Sequence, residues 1–140
     1  MSKTLARLSG GCACGAVRFT VPAEPRRVGL CHCMTCRKAH AAAFNPFAVF
    51  AAEQVDVSGA LQSWLSSPGY DRRFCVVCGS RVIAINGDEV ELSLGSLDEP
   101  GRLQPAYESW VSHREPWQVE LDVPQFARNP KPSRRIASDD

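Results

Sequence analysis

Short alternations of apolar and polar residues are the main structural signal in this chain. Val17, Phe19 and Val21 alternate with Arg18 and Thr20. A two-residue period of this kind is typical of a strand that buries one face. We therefore predict a half-buried strand in this segment.

Further extended segments are predicted between turn-forming residues. They are Phe47–Ala51, a short strand that closes at Asp56–Gly59, and Tyr70–Phe74, which leads into a pair of cysteines. A helix is favoured only over Cys33–Ala43, because Lys38 and the alanines are good helix formers and no proline interrupts them. The pattern as a whole predicts strands and loops rather than long helices.

A β-hairpin is the most specific local prediction. Asn86 and Gly87 both tolerate positive φ, so they suit a type I′ turn that joins Arg81–Ile85 to Glu89–Leu94. The second arm would place its aliphatic side chains on one face: Val90, Leu92 and Leu94.

Length and composition agree with this picture. A chain of 140 residues fits one domain, and its ten glycines and ten prolines favour short elements. We expect a mainly β fold with antiparallel sheets and little helix. A single domain is predicted over residues 1–128, and residues 129–140 are predicted to form a flexible C-terminal tail because they offer few aliphatic side chains.

Charge and hydropathy narrow the classes of partner. The formal net charge is +1, which predicts no nucleic-acid partner. The longest apolar stretch, residues 41–52, contains Asn45 and Pro46 and is shorter than the ~20 residues that a membrane helix needs. An odd number of clustered cysteines without an export signal indicates a cytoplasmic protein. The strand edges of a small β domain make a homodimer a further hypothesis.

Candidate chemistry lies in the cysteines. Seven of them form three tight clusters, namely Cys12 and Cys14; Cys31, Cys33 and Cys36; and Cys75 and Cys78. Closely spaced cysteines direct two sulfurs at one metal ion, and zinc takes four such ligands tetrahedrally. Seven ligands divide into a closed site of four and an open site of three, which predicts one structural and one reactive zinc.

Spacing alone leaves the grouping open, because Cys12 and Cys14 could share a metal with either of the other clusters. Joining the two outer pairs completes one tetrahedron and leaves the middle trio intact. Two interpretations without metal also remain. Some cysteines could be buried small apolar residues, and the Cys33/Cys36 or Cys75/Cys78 spacing is that of a thioredoxin-like redox pair, although the βαβ context of that motif is missing.

The sequence around the cysteines resembles a known family. The segments GGCACGAVRF from Gly10, CHCMTCRK from Cys31 and FCVVCGS from Phe74 are similar to those of the glutathione-dependent formaldehyde-activating enzymes, which include centromere protein V-like proteins. The resemblance covers roughly residues 9–126, since LGSLD from Leu94, Trp110-Val111 and Pro116-Trp117 also look like the family pattern.

This resemblance implies an Mss4-like fold with zinc-binding cysteine turns. It assigns Cys12, Cys14, Cys75 and Cys78 to a structural zinc, and Cys31, Cys33 and Cys36 to a labile or catalytic zinc. The implied activity is that of a carbon–sulfur lyase, which interconverts glutathione plus formaldehyde and S-(hydroxymethyl)glutathione or acts on a related thiol and aldehyde. A small glutathione-like thiol is then the expected partner. A non-catalytic, zinc-stabilised binding module of the same fold is the alternative.

Residues near the middle cluster carry further hypotheses. Arg37 and Lys38 follow the last cysteine, where they would offset the anionic metal centre or bind a substrate carboxylate, or simply be solvated. His40, four residues after Cys36, would share its helix face and could supply a fourth ligand, against a supporting or surface role.

The C-terminal aromatic residues are less specific. Trp110 and Trp117 either line a substrate groove or belong to the core or an interface. His113 is a candidate general base.

Overall fold

The computed structural model describes residues 6–130, which group into two compact units. The first unit contains residues 6–27 together with Ala48–Leu103, and the second contains Val28–Phe47 and residues 104–130. The single domain proposed over residues 1–128 stays a prediction. Most of the predicted tail, from residue 131, lies outside the described residues.

Strands dominate the described chain, in agreement with the predicted mainly β class. The strands are β1 Arg7–Gly11, β2 Arg18–Pro22, β3 Arg27–Cys31, β4 Asn45–Ala51, β5 Asp56–Ser58, β6 Leu61–Ser67, β7 Tyr70–Cys75, β8 Arg81–Asn86, β9 Glu89–Ser93 and β10 Glu108–Ser109. The α-helix of residues 6–130 is α1, Met34–His40. Single 3-10 turns lie at Ala52–Gln54, Leu94–Ser96 and Val111–His113.

In the first unit, β2 is the central strand of an antiparallel sheet with the order β1-β2-β5. The alternation read from the sequence is confirmed, because Val17, Phe19 and Val21 are all buried. This sheet holds both ends of the first cysteine turn, which lies between β1 and β2.

The strands β9, β8, β7 and β6 are antiparallel neighbours in that order, also within the first unit. The predicted hairpin is confirmed, but its turn lies one residue later than expected. Asn86 pairs with Glu89, so Gly87 and Asp88 form the loop. Of these two residues only Gly87 has positive φ, at 65°, which is typical of a type II′ turn rather than the type I′ turn predicted. Leu94 leaves the strand and begins a 3-10 turn.

Close backbone packing around Gly10 in β1 gives a first prediction. A Cβ atom at this position would lie 2.3 Å from the Ser96 carbonyl oxygen and 2.5 Å from Cζ of Phe19. We expect Gly10→Ala to lower the free energy of unfolding by about 1–3 kcal/mol, the usual cost of overpacking. Urea unfolding with zinc present measures this change.

Gly95→Ala is the matched control, because a Cβ atom there would meet no heavy atom within 4 Å. This variant should unfold at the same urea concentration as the wild type or slightly above it. Equal unfolding midpoints for the two alanine variants would contradict the close packing at Gly10.

The second unit is organised by a parallel pair of strands. β10 runs parallel to β3, with Glu108 opposite Leu30 and Ser109 opposite Cys31. Helix α1 follows β3 after two residues. This arrangement places the middle cysteine cluster where β3 ends and α1 begins.

The predicted helix over Cys33–Ala43 is confirmed but shorter. Cys33 is the N-cap, and its Sγ accepts a hydrogen bond from the Cys36 N–H. Ala41 adopts the left-handed conformation with φ of 50° and ends the helix, although alanine is a good helix former. No helix within residues 6–130 is long and apolar enough to cross a membrane.

Candidate metal centres

The four outer cysteines converge in the first unit. The Sγ atoms of Cys12, Cys14, Cys75 and Cys78 all lie within 4.8 Å of one another. The Cys12 and Cys14 sulfurs are 3.7 Å apart, and those of Cys14 and Cys75 are 3.9 Å apart. Four sulfurs at about 2.3 Å from one zinc ion would lie about 3.8 Å apart in a tetrahedron. The cluster therefore has the ligand set and spacing that a zinc ion requires.

Backbone N–H groups face the sulfurs of both turns. The Val17 N–H donates to Cys12 Sγ at 3.2 Å, and the Val77 N–H donates to Cys75 Sγ at 3.3 Å. Gly79, with φ of 80°, lets the backbone turn directly after the second pair. Such donors would stabilise the negative charge of a metal-bound thiolate.

Ser80 connects the two turns and was not identified from the sequence. Its hydroxyl accepts a hydrogen bond from the Ala13 N–H and lies 3.1 Å from Cys78 Sγ, to which it can donate. The hydroxyl and N–H of Ser80 lower the pKa of Cys78 to about 5. The Ala16 N–H favours ionisation of Cys14, but desolvation and the neighbouring thiols raise its pKa to about 11. Sulfurs this close do not all ionise unless a cation compensates their charge.

The three middle cysteines converge in the second unit. The sulfurs of Cys31, Cys33 and Cys36 also lie within 4.8 Å of one another. Two elements fix them: Cys31 ends β3, whereas Cys33 is the N-cap of α1 and Cys36 is buried in its first turn. Three thiolates on rigid elements match the donor set of a zinc site with one open position.

The sulfurs of the trio disfavour one another's ionisation. Hydrogen bonding with the Cys33 thiol is the main reason that the pKa of Cys31 rises to about 12. The pKa of Cys36 is raised by the thiols of Cys31 and Cys33 and by burial. Ionising one sulfur makes the next ionisation harder, because the charges are close and poorly solvated. A bound cation would lower the pKa values of these thiols, because it would stabilise all three thiolates.

The structure does not bring His40 into the trio. Within residues 6–130, the group of close ligand atoms contains the three sulfurs and no histidine nitrogen. His40 is instead the last residue of α1. The hypothesis of a fourth, nitrogen ligand therefore finds no support in this geometry.

The two cations after the trio have different surroundings. Arg37 donates to Glu115 Oε2 at 2.6 Å and to the His113 carbonyl oxygen at 3.2 Å. It thus ties α1 to the segment around residues 113–115. Lys38 is exposed to solvent. Lys38 is accordingly the more accessible of the two cations for a substrate.

The C-terminal aromatic residues fall into two groups. The rings of Trp110 and His113 stack at 5.7 Å, and Trp110 Nε1 donates to Asn129 Oδ1 at 3.0 Å. These contacts fit the structural interpretation of Trp110 better than an open groove. Trp117 is 70% exposed. His113 lies at the end of a 3-10 turn and is a general-base candidate only by residue type.

A histidine between two cysteines of the trio was also missed by the sequence analysis. His32 is fully buried, and its Nε2 lies 2.7 Å from Oε1 of the equally buried Glu108. The available signal was its place in the Cys31-His32-Cys33 segment. Its partner is 76 residues away, so spacing could not reveal the pair.

The comparison with protein families decides the assignment. The profile of the family described as "glutathione-dependent formaldehyde-activating enzyme" matches residues 7–113, a range that contains all seven cysteines. The chain belongs to this family. The resemblance seen in the cysteine motifs is thereby confirmed, and the family is associated with an activity on glutathione and formaldehyde.

A solved structure supports the fold of this family member. A crystal structure of a Rhodobacter sphaeroides protein, determined as a structural genomics target, is similar with a TM-score of 0.55 and 24% identity. The similarity covers 66% of this chain and 92% of that chain. At this identity the match shows the fold alone, and it agrees with the mainly β, Mss4-like class. No curated protein matches the chain.

Proposed function

We propose that this family member is a zinc-dependent enzyme of the carbon–sulfur lyase type. Its substrates would be glutathione and formaldehyde, or a related small thiol and aldehyde, and its product S-(hydroxymethyl)glutathione or the corresponding adduct. The main support is the trio Cys31, Cys33 and Cys36, whose sulfurs converge without the four cysteines of the other cluster. A scaffold needs a closed four-cysteine site, whereas a second, three-cysteine site has an open position for a ligand.

The chemistry follows from the donor set. Zinc bound by the trio would supply a fourth position at which a substrate thiol ionises near neutral pH, although a free thiol has a pKa of ~8.5. The substrate sulfur then forms a bond to the aldehyde carbon, and the carbonyl oxygen takes up the proton that the thiol lost. The reverse reaction breaks the same carbon–sulfur bond and returns that proton to sulfur.

The two cysteine clusters have different roles in this proposal. We assign Cys31, Cys33 and Cys36 to the reactive zinc, and the outer four to a structural zinc. None of the seven forms a disulfide. Thiols kept for metal suit a reducing compartment, which supports a cytoplasmic location.

We assign the binding of a substrate carboxylate to the cations that follow the trio. Arg37 already pairs with Glu115, so it would act mainly by holding α1 in place. Lys38 is exposed and within two residues of Cys36, which makes it the better candidate for direct contact with a carboxylate of glutathione.

Lys38→Ala should raise KM for glutathione about two- to fivefold and leave kcat unchanged. The expected change is small because an exposed ion pair contributes only ~0.2–1 kcal/mol. Steady-state kinetics at low ionic strength measures it, with Lys38→Arg as the charge-conserving control. If Lys38→Ala and Lys38→Arg have the wild-type KM, Lys38 does not bind the substrate.

A zinc-stabilised binding module is the second candidate function. The turn between Cys75 and Cys78 exposes Val76 and Val77, and the Val77 side chain is 71% exposed. Exposed aliphatic residues at the tip of a metal-stabilised turn suit contact with another protein. In this case the open trio would have no role in turnover.

The exchange of formaldehyde between its free form and its glutathione adduct distinguishes the two candidates. The protein is loaded with zinc, mixed with glutathione and formaldehyde, and the exchange rate is measured by NMR against the protein-free reaction. An enzyme must raise this rate in proportion to its concentration. A rate equal to the spontaneous one would reject the lyase and favour the binding module.

A further inference from the structure

A fully buried ionisable pair lies beside the three-cysteine cluster. The side chains of His32 and Glu108 are both 0% exposed, and Nε2 of His32 lies 2.7 Å from Oε1 of Glu108. Glutamate is almost never buried so completely unless it is paired and hydrogen-bonded. The proposed reaction uses neither side chain, so their burial calls for another explanation.

Glu108 is held firmly by other groups of the second unit. Its Oε2 accepts hydrogen bonds from the Leu121 N–H at 2.7 Å and from Gln125 Nε2 at 3.1 Å, and Arg114 lies 3.5 Å from Oε1. Burial alone would raise the pKa of Glu108, but these donors, together with His32, lower it below its usual range. Because donors face both oxygens, Glu108 is an acceptor here, and Nε2 of His32 donates its proton to Oε1.

The backbone of the same segment is held by the neighbour of Glu108. The His32 N–H donates to the Ser109 carbonyl oxygen at 3.0 Å, and Ser109 Oγ donates to the Leu30 carbonyl oxygen at 3.1 Å. Strand β10 thus fixes both the main chain and the imidazole of the residue that separates Cys31 from Cys33.

The geometry of an extended chain explains how fixing His32 affects the cysteines on either side of it. Cys31 ends a strand, and Cys33 has φ of −63° and ψ of 156°, so the residues on both sides of His32 are extended. Successive side chains of an extended chain point to opposite sides. Fixing His32 on one side therefore fixes the directions of the Cys31 and Cys33 sulfurs on the other.

We propose that His32 and Glu108 are positioning residues that hold Cys31 and Cys33 in the geometry required to bind a metal ion. This proposal rests on the proposed function, because it takes the trio to be a metal site. The pair would act as the hydrogen-bonded supports of metal ligands do, by reducing the rearrangement that the sulfurs need on binding.

The unused nitrogen of His32 suggests a specific set of variants. Nδ1 is buried and has no hydrogen-bond partner within the described part of the chain. The Nε2–H is thus the side-chain hydrogen bond that matters. Glutamine can place an amide N–H near the position of Nε2, whereas the shorter asparagine reaches only the position of Nδ1, and leucine has no donor.

The test measures metal affinity rather than turnover. Full-length wild-type protein and the variants His32→Gln, His32→Asn and His32→Leu are titrated with Co²⁺ and then Zn²⁺ in competition with a chelator. Thiolate-to-cobalt absorption reports occupancy, and circular dichroism reports folding. We expect the trio of His32→Gln to bind its metal ion, the second ion to bind, within about threefold of wild-type affinity. His32→Asn and His32→Leu should bind it about 10–100-fold more weakly, as for other lost supports of metal ligands.

The four-cysteine cluster provides the internal control, since its affinity should be the same in all four proteins. If His32→Leu fails to fold, the comparison of His32→Gln with His32→Asn still decides. The positioning role would be overturned if the trio bound its ion with wild-type affinity in every variant. It would also be overturned if His32→Gln and His32→Asn weakened the binding of that ion equally. A wild-type protein that binds only one ion would overturn the proposed function as well. Failure of the positioning role alone would instead leave two ions bound to the wild type.

Discussion

Cys33→Ser should reduce formaldehyde–glutathione exchange to the spontaneous rate and lower the zinc content from two ions per chain to one. Cys33 is both a member of the trio and the N-cap of α1, where its Sγ accepts the Cys36 N–H. Serine is a good N-cap, so the helix should persist while one sulfur ligand is lost. The loss of a ligand exceeds the 10–100-fold effect of losing a supporting residue, so we expect a decrease in catalysed rate of more than ~100-fold.

Thr35→Ser is the matched control, because Thr35 is exposed in the same turn of α1 and contributes no sulfur. It should keep both zinc ions and the wild-type rate. NMR exchange measurements and elemental analysis of the same samples give the two values. A Cys33→Ser protein that exchanges as fast as the wild type would remove the trio from the reaction and leave the binding module as the better explanation.

Local patterns predicted the parts of the fold that depend on neighbouring residues. The alternation around Phe19 identified β2, and the turn residues near Gly87 identified the β8–β9 hairpin. The exact turn was missed because Asn86 pairs with Glu89 and so remains in the strand. Ala41 shows the same limit, since its left-handed conformation ends α1 against its helix propensity.

The division of the cysteines could be predicted for a different reason. Zinc takes four ligands in a tetrahedron, so a division of seven cysteines into four and three followed from counting. The structure brings the sulfurs together in a group of four and a group of three. The residues that hydrogen-bond to these clusters or to their neighbours could not be predicted by counting ligands. Ser80 acts on Cys78 through a hydroxyl common in any sequence, and Glu108 reaches His32 from 76 residues away.

Cys75→Ser should unfold the first unit, which is the largest effect on stability that we expect. Cys75 is buried at the end of β7, and its sulfur belongs to a cluster whose other turn is 61 residues away at Cys14. Structural zinc contributes about 10–16 kcal/mol of binding free energy in small zinc domains. The net stability of a typical domain is only about 5–15 kcal/mol, so loss of this ion should leave little or no folded protein.

Circular dichroism and metal content measure the result, and chelation of the wild type provides an independent route to the same state. Val77→Ser is the matched control, because it changes an exposed residue of the same turn without removing a sulfur. It should keep two zinc ions and the wild-type unfolding midpoint. A chelator should remove the ion of the trio first, since that site has only three protein ligands, and unfolding should accompany the loss of the second ion. Cys75→Ser protein that retains wild-type circular dichroism would show that the four-cysteine cluster does not hold this fold together.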